Sequence, residues 1–88
     1  MKASIIITGS GISSKYRLLR SIPACKDQVV NLPFNNFKIE FKSKKQAVKA
    51  LSEAYQLLAS DSETKIATSY TRGYILSYDA GTAKIITP

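Results

Sequence analysis

The residues whose types and spacing are best suited to chemistry are five lysines near the middle of the chain. They lie within twelve consecutive residues in which Glu40 is the only acidic side chain. The five are Lys38, Lys42, Lys44, Lys45 and Lys49. Because ammonium groups bind phosphate and carboxylate oxygens through charge-assisted hydrogen bonds, this cluster predicts binding of an anion. The alternative interpretation is an ordinary solvated rim of long side chains.

The composition argues against most enzyme classes. The sequence contains no histidine, which removes the usual general base, the commonest metal ligand and the Ser-His and Cys-His nucleophile pairs. Its single cysteine, Cys25, excludes an intramolecular disulfide and a cysteine zinc site. Cys25 would be the best nucleophile, but no base is identified near it in sequence. We therefore expect a small buried or half-buried apolar Cys25, and no catalytic site, metal or cofactor.

The net charge predicts the class of partner. Thirteen Lys and Arg residues against six Asp and Glu residues give a formal charge of +7, with a pI near 9.7. Such a surface attracts anions, so nucleic acid or an acidic protein surface is expected. No apolar run is long enough to span a membrane, and residues 1–8 lack the apolar core of a signal peptide. We expect a cytoplasmic monomer or homodimer without membrane contact.

A strand followed directly by a long amphipathic helix must position the lysines. In residues 36–42 large apolar side chains alternate with charged ones, the pattern of a half-buried strand. Ser43 then provides an N-cap, and Gln46 three residues later completes a capping box. From Ala47 onward apolar residues recur with helical spacing, which predicts one long helix over residues 43–59.

Three lysines of the cluster crowd the start of this predicted helix, where the macrodipole is positive. They are Lys42, Lys44 and Lys45. Carboxylates would be preferred there by a few tenths of a kcal/mol to about 1 kcal/mol, so stability alone would not select lysine. Together with the free N–H groups of the first turn, these lysines are expected to bind a phosphate or carboxylate group.

A strand and a shorter basic helix are predicted in the first part of the chain. Residues 3–8 predict a strand that is either covered on both faces or amphipathic. Ser13 or Ser14 is expected to cap a helix of at most two turns over residues 15–20. Its basic side chains, interleaved with a tyrosine, suit a nucleic-acid backbone and one stacked base; the alternative is a surface helix held by its leucines. The basic candidates here are Arg17 and Arg20.

The last third of the chain predicts an antiparallel meander. Its strands are expected over residues 64–70, 74–78 and 82–87, with a further edge strand earlier, over residues 28–30. Between the last two strands of the meander, Asp79-Ala80-Gly81 predicts a three-residue hairpin loop in which Gly81 takes the left-handed conformation.

A second candidate site lies in the meander. Tyr70, Tyr74 and Tyr78 are expected to form either core beneath the helix or, if exposed, an aromatic platform beside Arg72. In the exposed case Arg72 and Tyr74 form a reasonable hot-spot pair for a protein partner or stacked bases.

These elements predict a single α+β domain over residues 1–88. We expect four or five mainly antiparallel strands, with the helix of residues 43–59 packed on one face. Strand order is not predictable from these patterns.

One short string is similar to a known motif. Ile7-Thr8-Gly9-Ser10-Gly11-Ile12-Ser13 resembles the T-G-A-G-I-S segment that opens the nucleotide site of sirtuins, the NAD-dependent deacylases. The match covers seven residues, and the sirtuin-type continuation, the catalytic histidine and the zinc cysteines are missing. We interpret it as coincidence and expect a flexible turn.

In size, element order and lack of catalytic residues, the whole chain resembles small proteins that phages encode against host defences, anti-CRISPR proteins among them. The resemblance implies an inhibitor that docks on a host defence protein or nucleoprotein complex in the host cytoplasm and blocks it sterically. The alternative is a backbone-led, sequence-tolerant DNA- or RNA-binding module that uses the lysines of residues 38–49.

Overall fold

The computed structural model describes residues 2–60, 68–71 and 74–87. The chain forms one strand and a helix, then two strands and a second helix, and finally three strands. They are β1 (Ala3–Gly9), α1 (Ile12–Ser21), β2 (Val29–Leu32), β3 (Asn36–Phe41), α2 (Lys44–Ala59), β4 (Thr68–Thr71), β5 (Ile75–Tyr78) and β6 (Gly81–Ile86), with 3-10 turns at Lys26–Gln28 and Pro33–Asn35.

The strands form one sheet in the order β2-β3-β1-β6-β5-β4, and every neighbouring pair is antiparallel. It follows that β1 and β2 are parallel to each other, with β3 between them. Likewise β3 and β4 are parallel, with three strands between them. Each helix is therefore a crossover between parallel strands, α1 from β1 to β2 and α2 from β3 to the far edge at β4.

The predicted α+β class and antiparallel sheet are confirmed, but the predicted number of strands is wrong, and so is the prediction that only one helix packs on the sheet. Within the described residues the sheet has six strands, and α1 joins α2 as a second packed helix. The short predicted helix is ten residues long and packs on β1 and β6, because its apolar side chains complete the core. Residues 64–67 of one predicted strand lie outside the described residues, and the remainder forms β4.

Both helices cover the same face of the sheet, which decides between the two interpretations of β1. Ile5 and Ile7 are fully buried in the core, whereas Ile6 between them is half-buried on the other face. The same alternation buries Phe37 and Ile39 on β3. The amphipathic interpretation of the first strand is therefore correct, and within residues 2–60, 68–71 and 74–87 the other face of the sheet has no helix on it.

The long helix begins where the sequence predicts. The Ser43 hydroxyl accepts a hydrogen bond from the Gln46 backbone N–H at 3.2 Å, which satisfies one of the free donors of the first turn. Along α2 the core-facing residues at helical spacing, including Ala47, Leu51 and Leu58, are buried. Burial of this stripe stabilises α2 more than helix propensity does.

The predicted serine cap of α1 is wrong. Gly11 occupies the N-cap position, and it provides no side-chain cap. Ser14 lies inside the first turn, where it is buried, and its hydroxyl donates to the Asp79 carboxylate at 2.9 Å. The serine therefore fastens α1 to the β5–β6 turn instead of starting the helix.

The predicted three-residue loop between β5 and β6 is also wrong. Tyr78 pairs with Gly81, so the turn contains only Asp79 and Ala80, and Asp79 takes the left-handed conformation with φ of 51°. Gly81 instead permits close packing of α1, since a Cβ there would lie 3.1 Å from Leu18 Cδ1. Glycine is needed at this position for space rather than for turn geometry.

The tyrosines of the meander do not form an exposed platform. Tyr78 is buried with Leu76 beneath the helices. Tyr70 is partly buried and stacks on Tyr55 of α2, with ring centroids 4.5 Å apart. Of the three tyrosines, Tyr74 is the exposed one, with 40% of its surface accessible. The core interpretation is correct for Tyr70 and Tyr78 and wrong for Tyr74.

Replacing Gly81 with a branched residue tests the packing of α1. We expect Gly81→Val to lower the free energy of unfolding by about 1–3 kcal/mol, because the added atoms press on α1. Urea unfolding followed by circular dichroism measures this difference. Thr8→Val, at an exposed position on the face without helices, is the matched control and should change stability by about 0.5 kcal/mol or less. Equal stability of both variants would contradict the close approach.

Candidate binding surfaces

The fold divides the predicted lysine cluster. On β3, Lys38 alternates with the buried Phe37 and Ile39, so its side chain lies on the sheet face opposite the helices. Lys42 follows the end of β3, and Lys44 begins α2. The five lysines therefore do not share one surface, because a strand turns neighbouring residues to opposite faces.

At the start of α2 the fold joins two candidate sites that are distant in sequence. The Lys44 ammonium lies 4.8 Å from the centroid of the Tyr74 ring, a cation–π contact. With the exposed Lys45 next to Lys44, these residues form a surface that we name the lysine end: Lys44, Lys45 and Tyr74. Lys42 instead lines a recess together with two carboxylate side chains. Arg72, the other predicted hot-spot residue, lies outside the described residues.

Main-chain hydrogen bonds hold Tyr74 in place. Its N–H donates to the Thr71 carbonyl at 2.8 Å, and its carbonyl accepts from the Ile85 N–H at 2.8 Å. The tyrosine therefore sits on a fixed backbone beside the sheet rather than on an unanchored loop. The first turn of α2 carries no acidic residue, so the helix dipole and the lysines make this end of the molecule positive.

Lys49 has different surroundings from the lysine end. It lines a shallow surface recess together with Pro23, Phe41 and Glu53. Since Glu53 stands four residues after Lys49 on α2, the two charges are neighbours on the helix surface. The neighbouring carboxylate reduces the positive potential at Lys49 relative to the lysine end.

The two arginines of α1 have different positions. Arg17 donates to the hydroxyl of the buried Tyr78, and its guanidinium carbon lies 5.2 Å from the centroid of that ring. It therefore supplies a partner for a core hydroxyl. Arg20 is exposed in the last turn of α1, where the helix dipole favours a cation.

The sheet face without helices carries a row of five side chains, which the sequence predicted only in part. The strand registers place Val30, Lys38, Ile6, Lys84 and Ile75 side by side across five strands. Two lysines thus flank the central isoleucine of the sheet. The alternation in β6 is a sequence signal for an outward Lys84, but its alignment with Lys38 depends on pairing through β1.

Sequence reasoning also missed an exposed aromatic residue. Phe34 lies in the tight connection between β2 and β3 with 88% of its surface accessible, and its backbone is left-handed, with φ 63° and ψ 34°. A phenylalanine inside a Pro- and Asn-rich turn is the sequence signal that would have found it. The connection stands at the start of β3, while the lysine end lies beyond its other end.

The described residues contain no group of three or more His, Cys, Asp or Glu side chains placed to hold a metal ion. Cys25 is exposed, so the prediction of a buried or half-buried residue is wrong. Cys25 lies at the surface between α1 and the 3-10 turn, where its backbone N–H donates to Gln28 Oε1 at 2.6 Å.

Over the part of the chain that the structure describes, neither helix has the length and apolar character needed to cross a membrane.

No family model, curated protein or solved structure matches this chain.

A double-mutant cycle tests the contact that creates the lysine end. We expect Lys44→Ala and Tyr74→Ala to show a coupling of about 0.5–1 kcal/mol in the free energy of unfolding, because each removes the same cation–π contact. Urea unfolding of the two single variants and the double variant gives the coupling. A parallel cycle of Lys45→Ala with Tyr74→Ala is the control and should show coupling near zero. Equal coupling in both cycles would contradict a specific Lys44–Tyr74 contact.

Proposed function

We propose that this chain is a small, basic, non-enzymatic binding protein that docks on an acidic surface of another protein and blocks it sterically. The observation that supports this proposal most directly is the lysine end, where Lys44 lies over the ring of Tyr74. Tyrosine is enriched among interface hot spots, and the adjoining lysines complement carboxylates on a partner.

At the lysine end and the meander next to it, the aromatic contacts favour a protein partner over nucleic acid. Sequence-tolerant binding of single strands uses exposed aromatic rings on which bases stack. Among the meander tyrosines, Tyr78 is buried, Tyr70 stacks on Tyr55, and one face of Tyr74 is occupied by Lys44. A tyrosine with one face covered by a cation retains its edge and hydroxyl for contacts with a protein.

The charge distribution suggests how such a protein would act. With a net charge of +7, association with an acidic surface is accelerated by long-range attraction and slowed by salt. Occupation of that surface would then exclude the partner's other ligands. By its resemblance in size and layout to phage-encoded anti-defence proteins, we propose a host defence protein or nucleoprotein complex in the host cytoplasm as the partner.

A second candidate function has one specific observation in its favour. Lys38 and Lys84 stand on either side of Ile6 on the sheet face without helices. Two cations on this face suit contacts with the phosphate backbone of DNA or RNA, without reading of bases.

Capture from host-cell lysate tests the first proposal. We expect the wild-type chain to retain a protein after nuclease treatment, and Lys44→Glu with Lys45→Glu to reduce its recovery at least tenfold, because the charge reversal repels carboxylates. Quantitative mass spectrometry of the captured material is the measurement. Lys38→Glu with Lys84→Glu makes the same charge change on the sheet face and should leave recovery within about twofold if that face is not used. Capture that disappears with nuclease would contradict the proposal.

Titration of labelled single- and double-stranded DNA and RNA at two salt concentrations tests the second candidate. If it is correct, fluorescence anisotropy should show binding that weakens steeply with salt, since counterions are released from the phosphates. Lys38→Glu with Lys84→Glu should then abolish binding, and Lys44→Glu with Lys45→Glu should weaken it less. Absence of binding at low salt would reject this candidate.

A further inference from the structure

Strand β2 is supported on one side only. It stands at an edge of the sheet and, among the described strands, pairs with β3 alone. The helices pack mainly on β1, β3, β4 and β6, so neither covers β2 extensively. In an antiparallel strand alternate residues direct their N–H and C=O groups away from the paired neighbour. The outer side of β2 therefore presents main-chain groups that the described strands do not pair.

Most of the devices that protect a sheet edge from another strand are missing from β2. All four of its residues pair with β3 in continuous register, so no bulge interrupts the strand. Residues 28–37 contain no charged side chain, although the chain has 13 Lys and Arg residues. Val30 and Asn31, at the centre of β2, are exposed. What limits this edge is its length, because Pro33 follows the last residue of the strand.

The main-chain groups of the edge select the chemical class of the occupant. They include both donors and acceptors, and each needs a partner of the opposite kind. An extended polypeptide supplies both kinds of group at the matching spacing. Phosphate groups only accept hydrogen bonds here, and they would leave the outward carbonyls of β2 unpaired. The outer side of β2 is therefore suited to a peptide segment and not to a nucleic-acid backbone.

Charge and length favour a segment of another protein over a second copy of this chain. Two copies would each carry a net charge of +7, which opposes their association. A four-residue strand is only about 13 Å long, a short seam for an interface that must bury roughly 1,200 Å². A partner that also contacts the lysine end does not depend on this seam for its whole affinity.

We propose that β2 binds an extended, acidic segment of a partner protein, which pairs with its outer side as a further strand of the sheet. The added strand continues the row that contains Val30 and Lys38, so its residue in that row lies about 10 Å from the Lys38 backbone. A carboxylate at that level is within the screening length of the Lys38 ammonium. Glu40 lies two residues further along β3, near Gln28, and disfavours a second carboxylate at that end.

This inference rests on the proposed function in taking the partner to be a protein. It adds main-chain pairing, which the lysine end does not supply. Main-chain pairing gives affinity, and the side chains that alternate along the added strand give specificity.

Selection of displayed random peptides on the immobilised full-length chain supplies a probe. We expect the selected peptides to combine β-branched with acidic residues, and their affinity to fall as salt rises. Hydrogen exchange followed by NMR then locates the bound peptide. Outward amides of β2 should become protected, while those of α2 should not change. Failure to select any peptide, or protection confined to residues outside β2, would overturn the proposal.

Proline at either central residue of β2 separates main-chain pairing from side-chain contacts. Since alternate residues point towards β3 or away from it, one of Val30→Pro and Asn31→Pro loses a ladder hydrogen bond, and the other loses only an outward donor. The second of these should keep the wild-type melting temperature and bind the selected peptide at least tenfold more weakly. Val30→Thr and Asn31→Thr keep the N–H and should bind within about threefold of the wild type.

An ester bond in place of the same outward N–H, introduced by ligation of synthetic segments, gives the same comparison if both proline variants are less stable. Wild-type affinity in the chain that lacks the outward donor would contradict main-chain pairing. Sedimentation of the chain without peptide tests self-association, and we expect a monomer. A dimer that the same replacement abolishes would assign the edge to a second copy and overturn the proposal.

Failure of this inference and failure of the proposed function give different results with the protein captured from host lysate. If loss of the outward donor abolishes its binding while Lys44→Glu with Lys45→Glu does not, the edge is used and the lysine end is not the docking site. If the reverse holds, the lysine end is correct and the outer side of β2 is not used.

Discussion

Burial of only one face of β1 is the constraint on which the rest of the structure depends. Ile5 and Ile7 are fully buried against the helices, while Ile6 points to the face without helices. Since β3 and β6 pair with β1 in fixed register, this choice also determines the direction of every side chain on those strands. If the pairing of β3 and β6 with β1 shifted by one residue, Lys38 and Lys84 would be buried. The lysines and the isoleucines therefore maintain the strand register together.

Polar side chains of α1 then lock that helix onto the sheet on both sides of β1. Ser14 donates to Asp79 at the β5–β6 turn, Arg17 donates to the buried hydroxyl of Tyr78, and Lys15 holds the turn before β3. Such contacts specify where a helix sits more precisely than apolar burial does, because a polar group left unpaired in the interior is costly. The consequence is that two of the three basic residues of α1 serve the fold, although Arg17 is itself exposed like Arg20.

The same packing produces two exposed surfaces with different chemistry. Helix α2 starts immediately after β3, so its first lysines collect beyond one end of that strand and meet Tyr74. The turn before β3 is held by Lys15, which presents Phe34 beyond the other end. One surface is dominated by charge and the other by an apolar ring.

Features that are encoded over a few neighbouring residues were predictable from the sequence. The alternation in β3, the Ser43 cap and the helical spacing of α2 are local patterns, and all three predicted their elements correctly. The α+β class and the antiparallel sheet followed from the same patterns. The tertiary structure was needed to reveal the strand order, the packing of α1 on the sheet and the separation of Lys38 from the lysine end. It also decided the contact between Lys44 and Tyr74 and the strained exposure of Phe34. These depend on pairing and packing between residues far apart in the chain, for which a local pattern carries no information.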